Sequence, residues 1–206
     1  AKVELIGGWD NVQISSVRDA ADRDAESKRL GSYAQALGLD PYAATVALLQ
    51  RNGGDVGMLG FAMSEDNLDR LLAHEFSMVC SDGGAFAIDG PTRAGSPHPR
   101  GAGTFPRVLG RYVRERRALP LASAIRKMTS LPAARVHLYD RGRIAAGFAA
   151  DVAIFSATEV MDSATFANPF QYPVGLKAVV VNGAVALRDG TRASSGNGRV
   201  LTAQSH

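Results

Sequence analysis

The sequence predicts an α/β fold: part of a barrel of parallel strands and covering helices, followed by a small β module. Three observations carry this. Residues 56–62, 64–72 and 76–80 read apolar, amphipathic and apolar, which is the order of a strand, a crossover helix and a second strand. Strands that are apolar almost throughout are those buried on both faces, as in an α/β barrel. Further on, short apolar runs are separated by Asn182-Gly183 and Asp189-Gly190, the dipeptides of two-residue hairpin turns. Eight βα units take about 250 residues. The 206 residues here show about two barrel strands before the hairpin pattern takes over, so the barrel they imply is incomplete.

Each element has a local reason. Asn11 to Val17 alternates as a strand does, and a charged connection follows over 19–29. Leu30, Tyr33, Ala34 and Leu37 recur at helical spacing, and Gly38 is placed to stop that helix. Asp40 is an N-cap with Pro41 in the first turn of a second helix, which runs through Ala47, Leu48 and Leu49 and ends at Asn52-Gly53-Gly54. Ser64-Glu65-Asp66 opens the helix that carries Leu68, Leu71 and Leu72. Two more helices are expected over 108–117 and 121–129, the latter started by Pro120, with His137 on a helix after Leu131-Pro132. Strands are expected over 150–155, 176–182 and 184–187.

Composition sets limits. No apolar run approaches the roughly 20 residues that span a bilayer, and the amino terminus carries no basic segment followed by an apolar signal core. A cytoplasmic protein with no membrane partner is the resulting expectation. The net charge of +3 owes much to Arg107, Arg111, Arg114, Arg116 and Arg117. Val108, Leu109, Tyr112 and Val113 interleave with those arginines at helical spacing, so the cluster reads as the polar face of an amphipathic helix, not a nucleic-acid surface. Cys80, the single cysteine, excludes an internal disulfide and is expected to be packed inside its apolar strand.

Chemistry concentrates after that strand. At Cys80-Ser81-Asp82-Gly83-Gly84 an acidic residue meets two glycines where a barrel strand would end, and the carboxyl ends of barrel strands form the active-site rim. Asp82 is thus a candidate for proton transfer. A polar loop with Arg93 follows, then Ser96-Pro97-His98-Pro99-Arg100-Gly101-Ala102-Gly103-Thr104-Phe105-Pro106-Arg107. Farther on come Ala124-Ile125-Arg126-Lys127-Met128, Asp140-Arg141-Gly142, Gly147, Ala150-Asp151-Val152 and Val181-Asn182-Gly183. This ordered series resembles the carboxyl-terminal half of the N-acyl-D-amino-acid deacylases, or D-aminoacylases, of the amidohydrolase superfamily.

The resemblance implies the last βα units of a TIM barrel with a helical insertion over 1–138, part of a small β-sandwich module over 139–192, and a flexible tail over 193–206. It implies a zinc-dependent hydrolase that cleaves N-acyl-D-amino acids to a carboxylate and a D-amino acid, with zinc ligands that lie mostly outside this chain. Asp82 matches the residue that carries the water's proton to the leaving amine. Arg100 matches a contact to the substrate α-carboxylate, with His98 beside it and Arg93 as its rival. No metal ligand is assigned to this chain, because His74, His98, His137 and His206 do not form a tetrahedral set. Asp151 is expected to make structural hydrogen bonds. The isolated chain is expected to be inactive and to associate with itself or with a missing amino-terminal half. The alternative is a non-catalytic association module or a degenerate relative.

Overall fold

The computed structural model describes residues 2–193 and 196–203. The expected flexible tail falls partly outside them, as does His206. The chain forms two compact units. The first draws on the chain up to Ser64, on Asp82–Ala102 and on Ala164–Gln171; the second draws on Glu65–Ser81, on Gly103–Ser163 and on the chain from Tyr172 onward.

In the first unit, α1 (Lys2–Leu5) and a 3-10 turn (Trp9–Asn11) precede β1 (Val12–Val17). After a second 3-10 segment (Ala20–Ala25) come α2 (Leu30–Ala36), α3 (Pro41–Arg51) and β2 (Val56–Gly60). The helix ends follow the sequence signals. Asp40 Oδ1 accepts from the backbone N–H groups of Tyr42 and Ala43 at 2.9 and 3.2 Å, which satisfies donors that have no partner inside α3. Gly38 sits at φ 66°, which allows Leu39 N–H to reach back to the Ala34 carbonyl and close α2. Val12, Ile14, Ala25, Leu30, Tyr33, Ala34, Ala44 and Leu48 form the core. Asn52 is fully buried at the end of α3; its amide donates to Asp22 at 2.8 Å and to the Leu48 carbonyl at 2.9 Å, and its carbonyl accepts from Asp19 N–H at 2.7 Å. Arg51 binds Asp22 through two nitrogens and holds that carboxyl below its usual range.

In the second unit, α4 (Glu65–Ala73) is followed, after the excursion through the first unit, by the end of α5 (Arg100–Arg107). Pro106 lacks the N–H that the helical ladder requires, and the helix widens immediately afterwards into π turns over Val108–Glu115. Then come α6 (Leu121–Met128), begun at Pro120, and α7 (Ser130–Arg135). Val108, Leu109, Tyr112, Leu119, Ala124 and Val160 make the core. The arginine cluster is engaged at home. Arg107 pairs with Asp162 at 2.9 Å, Arg111 with Glu65 at 3.3 Å, Arg116 with Asp69, and Arg114 donates to the Val160 carbonyl at 2.7 Å.

The β module is a four-stranded antiparallel sheet in the order β3 (Val152–Phe155), β4 (Leu176–Val181), β5 (Ala184–Arg188), β6 (Thr191–Arg192). Asn182 and Gly183 lie at φ 48° and 82°, and Asp189 and Gly190 at 48° and 78°. Two successive positive φ values give the turn twist that matches a hairpin, as the dipeptides predict. Asp151 has the expected structural role: Oδ1 accepts from Asn182 N–H at 2.8 Å, while Oδ2 pairs with Arg141.

The structure corrects several local expectations. β1 and β2 pair antiparallel, with Val12 opposite Gly60 and Val17 opposite Val56, and residues 76–80 join no sheet. The expected strand-helix-strand unit is therefore not closed by a parallel pair among the described residues. A parallel strand depends on flanking strands for its backbone hydrogen bonds, and no described strand flanks this segment. For the same reason Cys80 is exposed, not packed. His137 lies past the end of α7 at φ 60°, in the left-handed region, and so is not helical.

Segment 74–79 is held by Lys127 on α6. This lysine is 4% exposed, and its ammonium donates to the carbonyls of His74 and Ser77, the latter at 3.1 Å, and to Ser77 Oγ at 2.8 Å. Val79 N–H in turn donates to the Lys127 carbonyl at 3.2 Å. Burial pushes the lysine below its ordinary value, and the neighbouring Arg126 adds to that. Lys127→Met keeps most of the stem but removes the charged donor from the Ser77 carbonyl and Oγ, and is expected to lower stability by about 2 kcal/mol. Denaturant unfolding checks this, and an unchanged midpoint would show that the ammonium is dispensable.

Candidate active site

All four residues that the sequence singles out lie in the first unit, on the segment Asp82–Ala102. That segment is fixed to β1. Ser96, itself buried, donates its N–H to the Ser15 carbonyl at 2.5 Å, and Ser27 Oγ donates to Ser96 Oγ at 2.7 Å. Gly95 allows the approach: it has φ 62°, and a Cβ there would stand 2.7 Å from the Ser15 carbonyl oxygen.

Asp82 adopts φ 44°, an uncommon conformation for a residue with a side chain, immediately before two glycines. Its carboxylate meets Arg100. Arg100 Nη2 donates to Asp82 Oδ2 at 2.5 Å, and Arg100 Nε donates to the Asp82 carbonyl at 3.0 Å, so one guanidinium grips both side chain and backbone. The pair is open to solvent, with side chains 79% and 43% exposed for Asp82 and Arg100. Arg100 is the first residue of α5, and the neighbouring Gly101 leaves room for Phe86, whose ring carbon would lie 2.4 Å from a Cβ.

His98 precedes α5. Its Nδ1 accepts the Arg100 backbone N–H at 3.0 Å, and its ring meets Phe166 edge-on with centroids 4.9 Å apart. Phe166 packs on Phe61 at 4.6 Å, and the Arg29 guanidinium covers the other ring of that pair, 3.5 Å from the Phe61 centroid. Arg93 stands over the Phe170 ring at 4.6 Å. The structure thus brings Asp82, Arg100 and His98 into one hydrogen-bonded series and engages Arg93 with an aromatic ring. The support from Arg29, Phe61 and Phe166 carries no signal in the sequence, because these residues belong to separate segments with no motif between them.

These residues do not fit a zinc site. Zinc takes three or four ligands in tetrahedral array, and among the described residues no group of three or more His, Cys, Asp or Glu is placed to hold a metal ion. The Nδ1 atoms of His74, His98 and His137 each engage a neighbour within two residues: Phe76 N–H, Arg100 N–H and the Tyr139 hydroxyl. What the site offers is a solvent-accessible carboxylate for proton transfer and a planar cation suited to a second carboxylate. Among the described residues, no helix is long and apolar enough to cross a membrane.

Comparison with known proteins agrees with this architecture. A model of the amidohydrolase family matches residues 83–187, more than half of the chain. The D-aminoacylase of Alcaligenes xylosoxydans xylosoxydans is 41% identical over 145 residues, which are 70% of this chain and 28% of that protein. The N-acyl-D-glutamate deacylase of the same organism is 48% identical over 127 residues, 62% of this chain and 25% of that one. Among solved structures, the N-acyl-D-glutamate deacylase of Bordetella bronchiseptica, complexed with zinc and a phosphonate inhibitor, superposes with a TM-score of 0.76 at 35% identity, covering 90% of this chain and 36% of that one. The chain belongs to the amidohydrolase family, and it is similar to D-aminoacylase and N-acyl-D-glutamate deacylase over part of their length. Its fold is accordingly part of a TIM barrel, with an unclosed sheet, joined to part of a small sandwich module. It spans about a quarter of the length of these curated relatives.

Proposed function

We propose that this chain is one part of an amide hydrolase acting on N-acyl-D-amino acids, and that it works assembled with a polypeptide supplying the rest of its relatives' length. In this reading the zinc is carried by residues that this chain does not provide. Asp82 takes a proton from the attacking water as oxygen bonds to the carbonyl carbon. It then delivers that proton to the nitrogen as the carbon–nitrogen bond breaks, leaving a carboxylic acid and a free amine. A carboxylate suits both steps, since it accepts a proton beside a cation and releases it once the nitrogen becomes basic. Arg100 binds the substrate α-carboxylate through parallel N–H donors, with Arg93 and His98 on the same segment.

The observation that carries this reading is the pairing itself: an exposed carboxylate held 2.5 Å from an exposed guanidinium. A substrate carboxylate competes with Asp82 for Arg100, so substrate binding would release Asp82 at the moment its base is needed. The test uses two polypeptides, this chain and the remaining part of the N-acyl-D-glutamate deacylase relative. The expected result is negligible hydrolysis of N-acetyl-D-glutamate by this chain with added zinc, and hydrolysis on mixing. Robust turnover by the purified chain alone, or a stable mixture without turnover, would contradict the proposal.

A further inference from the structure

We infer that His98 is a positioning residue for Arg100, acting as the cap of α5 through its neutral ring; the inference rests on the reading of Arg100 as the substrate-carboxylate contact. The first N–H groups of a helix have no partner within it, and side-chain acceptors from Ser, Thr, Asp or Asn ordinarily serve them. Here Pro97, His98 and Pro99 precede the helix, and none carries such an oxygen. The acceptor for the Arg100 N–H is His98 Nδ1, at 3.0 Å. For that nitrogen to accept, it must be unprotonated, which places the ring's proton on Nε2.

Three features make the contact more than a loop turn. The His98 ring is fixed edge-on by Phe166, which is backed by Phe61 and Arg29, so its orientation is set by packing from outside its own segment. The residue whose backbone it caps is the one whose side chain grips Asp82 at two points. His98 also donates no charge in this state; uptake of a proton on Nδ1 would remove the acceptor and place a second cation at a helix end already positive from its own dipole. The ring therefore orients Arg100 through the acceptor at Nδ1.

Asparagine tests the cap directly, because its side-chain oxygen can take the place of Nδ1. In the assembled protein, His98→Ala is expected to raise KM for an N-acetyl-D-amino acid about tenfold with kcat little changed, as a lost cap of ordinary strength would. His98→Asn is expected to stay within about twofold of wild type. In this chain alone, nuclear magnetic resonance should show faster exchange of the Arg100 amide proton in His98→Ala and protection restored in His98→Asn. Unchanged Arg100 exchange in His98→Ala, or a His98→Asn variant that behaves like His98→Ala, would overturn the inference. Should the assembled wild-type protein hydrolyse no N-acyl-D-amino acid while the exchange pattern holds, the catalytic reading fails and the capping role stands.

Discussion

Asp82→Asn in the assembled protein is expected to lower kcat for an N-acyl-D-amino acid about a thousandfold, within the range by which a positioned acid or base accelerates proton transfer. Asparagine keeps the size and much of the hydrogen-bonding shape of aspartate but cannot accept and return a proton. The substitution also removes the anion that occupies Arg100, to which it stands at 2.5 Å. The guanidinium is then left to the substrate carboxylate, so KM should stay level or fall. A drop in kcat with no rise in KM is the signature of a group used in the chemical step. Steady-state kinetics on one substrate measures both. A variant with wild-type kcat would remove Asp82 from the mechanism.

Arg100→Met is expected to act on binding. Charge-assisted hydrogen bonds to a carboxylate contribute about 1.5–3 kcal/mol, so loss of the guanidinium should raise KM for an N-acyl-D-amino acid about 10- to 100-fold. Lysine should rescue only part of this, because an ammonium is a point charge without the planar fork. The decisive comparison is a substrate in which the α-carboxylate is absent, such as an N-acyl amine. Its KM should not respond to Arg100→Met. Equal losses on both substrates would mean that Arg100 serves only to hold Asp82, which it grips through side chain and backbone carbonyl alike. Arg93, 4.6 Å above the Phe170 ring, would then become the carboxylate contact to test.

Features encoded by neighbouring residues were legible in the sequence. Asp40 caps α3 because its side chain needs only the next two N–H groups, and Asn182-Gly183 makes its hairpin because both residues tolerate positive φ. The segment 76–80 was not legible, since its apolar run signals a buried strand but its partners are not set by anything within the run. Lys127 shows the same limit: a lysine at helical spacing reads as solvated, yet distant carbonyls draw it into the interior. At the candidate site, the ordered motifs single out Asp82 and Arg100, which pair in the structure. The devices that hold this segment leave no such mark. Ser27 and Ser96 meet across 69 positions, and Gln13 reaches the Phe166 carbonyl across 153. Contacts of that span leave no spacing or period to read. The helix start at Arg100 was also hidden, because two prolines and a histidine give none of the usual capping oxygens.

The central claim is that this chain contributes the proton carrier while other residues hold the metal. It is tested most directly by measuring zinc content and turnover on a single preparation of the assembled Asp82→Asn protein. Zinc at the wild-type level with turnover lost is the predicted result. Zinc lost together with turnover would make Asp82 a metal holder, and turnover retained would leave the carboxylate without a catalytic part.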